Sequence, residues 1–261
     1  MHGLGAKDGD RRIEWGKATD AYRRFRSGPP RSWYRALAGH GIGLAGQRLL
    51  DLGTGPGFVA AHMAREGLTA AGIDPDAGQI DAARALAADQ GLEIDFRVAP
   101  AEELPFGAGE FDLATATQCF LYFDRPRVIE QLRRVLVPGG LLVTGHHTWL
   151  PREDDFVRRT EDLVLEFNPQ WSAADFSGEI PLRPKWAEGL VEWRGCFIYD
   201  EDVPFTHETW RGRMRASRGV GASLSPEEIE RFDAALGELL VEHVPNEFAV
   251  RHRVDAHWFK V

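Results

Sequence analysis

The segment from Arg48 to Phe58 constrains the fold most, because it places three glycines at alternate positions between an apolar run and an amphipathic one. This order predicts a strand, a tight turn and a helix. Glycine has no Cβ and tolerates a positive φ, so the backbone of such a turn is open to a ligand. Phe58 stands where a dinucleotide fingerprint has its last glycine, and no Gly-Lys-Ser/Thr follows to hold phosphates. The turn therefore predicts a small-molecule site for which neither NAD nor ATP is the first candidate.

Two acids accompany the turn. Asp74 ends a second apolar run about 20 residues later, where the ribose-binding acid of a βαβ nucleotide site belongs. Asp51 stands at the carboxyl end of the predicted first strand, where it either orients a ligand ammonium group or braces the loop. A ligand with a ribose and a cationic amino-acid tail, but no pyrophosphate, satisfies both positions. S-adenosylmethionine is such a ligand.

Four motifs in order carry a resemblance to a known family. Asp51–Gly57 (DLGTGPG) resembles motif I of the class I S-adenosylmethionine-dependent methyltransferases, and Gly72–Asp76 is similar to their post-I segment. Ala101–Phe106, with Phe111–Leu113 after it, resembles the AExLPF…FD signature of the small-molecule branch that includes ubiquinone-biosynthetic enzymes. Val135–Gly140 is similar to the VLxPGG turn before the fifth strand. Each motif alone is weak, while the ordered set is specific.

The resemblance implies an α/β fold with a seven-stranded, mostly parallel Rossmann-like sheet and helices on both faces. It implies an N-terminal helical cover over residues 1–45 and a methyltransferase domain over 46–261. The irregular, aromatic stretch at about 150–188, after the fifth strand, is expected to be a substrate-lid insertion. The predicted strands lie near 48–52, 68–74, 92–98, 111–117, 141–147, 190–200 and 248–259.

S-adenosylmethionine is the cofactor that the resemblance implies. The residues expected to bind it are Tyr22, Arg26, Asp51, Gly53, Thr54, Gly55, Gly57, Asp74, Pro75, Ala101, Glu102, Thr117 and Gln118. Tyr22 and Arg26 are placed by a segment similar to one that covers the methionine end in relatives; alternatively, Tyr22 packs its helix and Arg26 is solvated. Pro100 stands where many relatives carry Asp, so the adenine contact is expected on the backbone at Ala101.

The acceptor end of the site is expected at the carboxyl ends of the fourth and fifth strands, where open α/β sheets bind ligands. Thr117, Gln118 and Phe120 follow the fourth strand, and Leu121 replaces a histidine that some relatives carry there. The candidate bases are His146, His147 and His207, for which the alternative is a polar rim histidine.

Aromatic side chains of the later half suit stacking on a flat acceptor. The expected substrate-binding residues are Phe120, Trp149, Trp171, Trp210 and Arg215. Each tryptophan equally suits ordinary core packing, because aromatic residues contribute much of a domain's buried area. A solvated helix face is the alternative for Arg215.

The composition of the chain limits the classes of partner that it is expected to bind. A net charge of −9 and a pI near 5.5 oppose a nucleic-acid or anionic-membrane surface. Cys119 and Cys196 lack the spacing of a metal site or disulfide framework, and no third ligand joins His146 and His147, so no metal is expected. With no apolar signal segment at its start, the chain is expected to be cytoplasmic, as a monomer or homodimer.

The leading hypothesis is an O- or N-methyltransferase for a small, aromatic or heteroaromatic molecule of secondary metabolism. A protein that binds S-adenosylmethionine without turnover, or a cofactor-gated regulator, is the alternative from another class. A nicotinamide oxidoreductase is disfavoured by Phe58.

Overall fold

A computed structural model describes residues 7, 8, 10–14, 24, 25 and 28–261. Tyr22 and Arg26, two of the expected cofactor-binding residues, lie outside these residues. The chain divides into two compact units. The sheet unit comprises residues 27–147, 180–198 and 254–261, and the helical unit comprises 1–26, 148–179 and 199–253.

Seven strands form one sheet, which confirms the predicted α/β class. They are β1 (Arg48–Leu52), β2 (Thr69–Asp74), β3 (Asp95–Val98), β4 (Phe111–Thr117), β5 (Leu136–Trp149), β6 (Glu192–Thr206) and β7 (Glu247–Lys260). Their order across the sheet is β3-β2-β1-β4-β5-β7-β6. The first five strands in this order pair in parallel with their neighbours. Lys7–Asp8 and Arg11–Arg12 make a separate antiparallel pair.

The sheet order reverses at β1, which has β2 on one side and β4 on the other. Such a reversal leaves a crevice at the carboxyl ends of the strands, because the connections on either side of it run in opposite directions. Asp51 pairs with Gly72 of β2 and Thr115 of β4, so it lies at this crevice. Four of the five residues of β1 are buried, on both faces of the sheet, as expected for a central parallel strand.

Seven helices of eight residues or more occur in the described residues. They are α1 (Arg31–Gly39), α2 (Phe58–Arg65), α3 (Ala77–Asp89), α4 (Arg125–Val135), α5 (Asp155–Phe167), α6 (His207–Arg215) and α7 (Pro226–His243). Asp76 caps α3 by accepting the Gln79 N–H. Within the described residues, no helix combines the length and apolarity that a membrane crossing requires.

Each unit has its own apolar core. In the sheet unit, α4 buries Val128, Ile129 and Leu132 against β1, β4 and β5. In the helical unit, α5, α6 and α7 surround the buried side chains of Trp210 and Phe232.

A capping box begins α6. The Thr206 and Thr209 hydroxyls each accept the backbone N–H of the other residue, at 3.2 and 2.8 Å. Thr209 occupies the position that Glu or Gln usually has in this motif, and its hydroxyl has the lone pairs to accept the same bond.

Candidate cofactor and acceptor site

The glycine turn between β1 and α2 has the left-handed backbone that its sequence predicts. Gly53, Gly55 and Gly57 have φ values of 58°, 54° and 82°. A Cβ on Gly57 would lie 2.9 Å from the Phe96 ring and 3.0 Å from the Ala83 Cβ, so a side chain there is excluded by packing as well as by φ. The Thr54 N–H donates to the Ile73 carbonyl at 2.8 Å and fixes the turn against β2.

Asp51 braces this turn from below. Its side chain is buried, and its two carboxylate oxygens accept the hydroxyls of Thr54 and Thr115, each at 2.7 Å. Burial raises the pKa of Asp51 to about 6, against the lowering effect of the two hydroxyls, and the nearby Asp74 charge raises it further. These two hydrogen bonds are the contacts expected of the bracing alternative for Asp51. Its contact with a ligand ammonium stays a prediction.

Asp74 lies at the end of β2 beside the turn. One oxygen accepts the Gly55 N–H and the other accepts the Asp76 N–H, both at 3.0 Å. A carboxylate has about four acceptor positions, so both oxygens keep capacity for ligand hydroxyls. Burial raises the pKa of Asp74 to about 6, despite the two backbone N–H groups that lower it. In the part of the chain that the structure describes, neither Asp74 nor Asp51 forms an ion pair with a basic side chain.

Gln118 directly follows the carboxyl end of β4. Its φ is 65°, a left-handed value that is uncommon for a residue with a side chain. Its N–H donates to the Gly145 carbonyl at 2.9 Å, and its Nε2 donates to the His147 carbonyl at 2.5 Å and lies 3.2 Å from His147 Nδ1. Strained residues of this kind concentrate at functional sites. The ends of β4 and β5 are therefore joined where the acceptor end of the site is expected.

The other expected cofactor residues of the sheet unit lie near this crevice edge, in varied environments. Thr117 pairs with Gly145 of β5. Ala101 is buried, and Glu102 accepts the Asp124 N–H at 2.9 Å, next to the start of α4. Pro75 is exposed. Their contacts with a cofactor remain predictions.

The three candidate bases have different surroundings. His146 Nδ1 lies 3.3 Å from Asp255 Oδ1, and 39% of its side chain is exposed. His147 is held by Gln118. His207 lies in the helical unit at the start of α6, where its Nε2 is 3.1 Å from the Val244 carbonyl. The structure brings His146 and His147 to one strand end and places the buried carboxylate of Asp255 beside His146.

The expected substrate-binding tryptophans are buried. Trp149, Trp171 and Trp210 belong to the core of the helical unit, and Trp149 donates from Nε1 to Glu161 at 2.6 Å. The core-packing alternative accounts for these contacts, because Trp210 has no exposed surface. Arg215 forms an ion pair with Asp233.

Phe120 is likewise buried, in the core of the sheet unit, with its ring 4.7 Å from the Trp186 ring. The acceptor contacts proposed for these residues remain predictions.

Sequence reasoning missed two polar residues on β7. Asp255 and His257 are 1% and 3% exposed, although both lie in a strand that ends as Val-Asp-Ala-His-Trp-Phe. Two polar residues at alternate positions of an otherwise apolar strand face the same side of the sheet, and this was the available signal. Among the described residues, no group of three or more His, Cys, Asp or Glu is arranged to hold a metal ion.

Comparison with known proteins places residues 50–144 in a methyltransferase-domain family model. An uncharacterised methyltransferase from Mycobacterium avium is 34% identical over 142 residues, which cover 49% of this chain and 55% of that protein. A ubiquinone biosynthesis O-methyltransferase from a Caulobacter species is 39% identical over 102 residues, covering 38% of this chain and 40% of the relative. The chain thus spans about half the length of the curated relatives it matches.

Solved structures agree on the fold. A putative type II methyltransferase from Anaeromyxobacter dehalogenans superposes with a TM-score of 0.58 at 22% identity, covering 90% of this chain and 97% of its own. A putative methyltransferase from Bacillus halodurans gives 0.53 at 18% identity, with coverage of 88% and 96%. At these identities the likeness concerns the arrangement of strands and helices.

Proposed function

We propose that this chain is a class I S-adenosylmethionine-dependent methyltransferase, which binds this cofactor at the glycine turn and methylates a small molecule. When bound, S-adenosylmethionine supplies a methyl group on a positively charged sulfonium. The acceptor is an oxygen or nitrogen atom of a small aromatic or heteroaromatic compound, and the reaction belongs to secondary metabolism.

The observation that carries the proposal is the state of Asp74. This carboxylate lies beside a turn of left-handed glycines, has no basic partner among the described residues, and accepts one backbone N–H on each oxygen, which leaves further acceptor positions. A ribose with two vicinal hydroxyls donates two hydrogen bonds to such a group, while a positively charged ligand offsets its charge. The glycine backbone allows the ligand to lie against the main chain.

The residues of this chain contribute to the reaction by holding the acceptor and the cofactor in position. Methyl transfer from a sulfonium is an in-line displacement, so its rate depends on holding the acceptor, the methyl carbon and the sulfur on one line away from water. Gln118 and the ends of β4 and β5 stand where an acceptor would approach. The relative named as an O-methyltransferase supports an oxygen acceptor. The segment 150–188 remains the proposed lid.

Calorimetry tests the cofactor assignment. The full chain is titrated with S-adenosylhomocysteine and, separately, with NAD. We expect saturable binding of the first and none of the second. Binding of NAD alone would move the chain to the oxidoreductase alternative. Release of S-adenosylhomocysteine over a panel of phenols and ring-NH heteroaromatics then separates an enzyme from a protein that binds the cofactor without turnover.

A further inference from the structure

We propose that Asp255 and His257 are positioning residues that hold His146 as the base for an acceptor with an O–H or N–H proton, an inference that rests on the methyl transfer proposed above. The three side chains belong to neighbouring strands of the sheet unit. His146 is on β5, and Asp255 and His257 are two residues apart on β7.

Burial orders the three groups from the inside outward. The side chains of Asp255 and His257 are 1% and 3% exposed, whereas that of His146 is 39% exposed. His146 directs Nδ1 to Asp255 Oδ1 at 3.3 Å, so its other nitrogen, Nε2, lies on the opposite edge of the ring. Among the described residues, no hydrogen bond engages Nε2 of His146. Only the outermost member of the row can therefore meet an acceptor.

His257 fixes Asp255 from the inner side. Its Nδ1 lies 3.2 Å from Asp255 Oδ2, and its Nε2 lies 3.0 Å from the Pro181 carbonyl oxygen. Both neighbours are hydrogen-bond acceptors, so this arrangement is satisfied when the ring carries a proton on each nitrogen. The Trp33 Nε1–H also donates to the Asp255 carbonyl at 3.0 Å, which fixes the backbone at this position. The carboxylate is thereby held in one orientation.

The other carboxylate oxygen of Asp255, Oδ1, lies beside His146. Oδ1 is buried and makes no hydrogen bond of good geometry in the described part of the chain, and the His146 ring is the group at ion-pair distance. An unsatisfied buried acceptor is costly, so the Nδ1–H form of His146 is favoured. This tautomer leaves the Nε2 lone pair as the base. Catalytic hydrogen bonds are often long without substrate and shorten when it binds.

The electrostatics agree with this geometry. Burial raises the pKa of Asp255, but the polar contacts and charges of the neighbouring His146 and His257 outweigh burial and leave it below its ordinary value. Asp255 therefore stays ionised when His146 gains a proton. Burial and the Asp255 charge raise the pKa of the Cys196 thiol on the neighbouring strand β6.

The step balances as follows. The heteroatom of the acceptor forms a bond to the methyl carbon as the carbon–sulfur bond breaks, and His146 Nε2 takes the proton that the heteroatom loses. The resulting imidazolium is stabilised by Asp255 and later releases its proton to water. A base serves no purpose for an acceptor that has no proton to lose. The acceptor therefore carries a proton on the atom that is methylated, as a phenol, an enol or a ring NH does, and a tertiary amine or thioether is excluded as its preferred substrate.

The tautomer of His146 tests the proposal without a known acceptor. Long-range ¹H–¹⁵N spectra of the uniformly ¹⁵N-labelled full chain at neutral pH are assigned with His146→Gln and His257→Gln. We expect His146 as the Nδ1–H form. A wild-type His146 in the Nε2–H form, which free histidine prefers, would overturn the inference.

Asp255→Asn tests the positioning directly. The amide can donate to His146 Nδ1, so the ring should change to the Nε2–H form, which has no free lone pair facing the acceptor. Gln118→Ala is the matched control, since Gln118 contacts His147, and it should leave the His146 signals in place. An unchanged His146 tautomer in folded Asp255→Asn contradicts the role. If that variant does not fold, the wild-type tautomer still decides.

Turnover provides the second measurement. With protic acceptors, His146→Gln should lower kcat by about 10²–10⁴-fold and Asp255→Asn by at least about tenfold at pH 7. Calorimetry with S-adenosylhomocysteine separates the two proposals. If the wild type does not bind it, the proposed function fails. If all variants bind it normally but kcat is unchanged, only the His146 role fails.

Discussion

Asp74 ends β2 and Asp255 lies within β7, and both belong to the sheet unit, yet the pKa values of these two carboxylates shift in opposite directions. Asp74 receives only backbone N–H groups, and burial raises its pKa to about 6. Asp255 is more deeply buried, but two imidazoles lower its pKa below the ordinary value. Burial alone therefore does not decide the charge of a site. The partners that the fold supplies decide it.

The difference teaches how each group is used. Within the described ranges Asp74 has no basic partner, which is consistent with the proposal that a bound ligand completes its environment. Asp255 already has its partners, and its task is to orient one of them. The proposed binding site is formed mainly by one βαβ unit, and the proposed positioning site by two strands about a hundred residues apart in sequence.

The largest expected effect concerns the turn beside Asp74. Gly57→Ala should lower the free energy of unfolding by about 3 kcal/mol, because a left-handed residue with a Cβ costs about 1–2 kcal/mol and overpacking adds about 1–3. Gly91→Ala is the control, since Gly91 has a φ of 64° but its added Cβ would meet nothing within 4 Å. It should cost about 1 kcal/mol. Equal losses in urea titrations would show that packing at Gly57 is not limiting.

Asp74→Ala should weaken binding of S-adenosylhomocysteine by about 100-fold, because two hydrogen bonds to a charged acceptor are lost. Asp81→Ala removes an exposed carboxylate of α3, which is 75% exposed, and should leave affinity unchanged. Calorimetry measures both. A normal dissociation constant for folded Asp74→Ala would contradict the cofactor assignment.

The two carboxylates should affect stability with opposite pH dependence. Asp74 has a raised folded pKa, so it contributes stability below its unfolded value near 4, and this contribution is lost as pH rises through about 6. Asp255 has a depressed pKa, so its contribution is present above pH 4 and is lost on acidification through its folded pKa.

Urea unfolding between pH 3 and 7 measures this difference. Asp74→Asn should gain about 1–2 kcal/mol over the wild type as pH rises from 4 to 7. Asp255→Asn should be about 2 kcal/mol less stable than the wild type at pH 7, with the gap narrowing on acidification. Parallel pH profiles for the two variants would remove the contrast between the sites.

The smallest expected effect is the pH dependence of cofactor-product binding. Ligand hydroxyls donate to the ionised Asp74, so affinity for S-adenosylhomocysteine should be constant above pH 7 and should fall by up to about tenfold per unit below pH 6. Asp74→Asn should bind weakly with a flat profile. A slope that persists in this variant would identify Asp51, whose pKa is also about 6, as the titrating group.

The glycine turn and its acids were predictable because their signal is local. Three glycines in five residues, with Asp51 before them and Asp74 at the end of the next strand, follow from one strand–turn–helix–strand unit. Parallel pairing then places these residues at one crevice, as the register of β1 with β2 and β4 confirms. The roles of individual residues toward the cofactor stay predictions.

The contact of His146 with Asp255 was not predictable from local patterns. The two residues are 109 positions apart (255 − 146) and meet because β7 enters the sheet beside β5. The tryptophans illustrate the same limit, since an aromatic residue in a long irregular segment suits a substrate wall and a core equally. Burial of Trp210 at 0% exposure is a property of how α5, α6 and α7 pack.

By itself, the sequence determined the α/β architecture and the turn that is open to a ligand, because apolar periodicity and glycine act over a few neighbouring residues. Only the tertiary structure decided the surroundings of each titratable group. Desolvation and hydrogen bonding depend on every strand that packs nearby. They distinguish Asp74, whose described hydrogen-bond partners are backbone N–H groups, from Asp255, which has a histidine on either side.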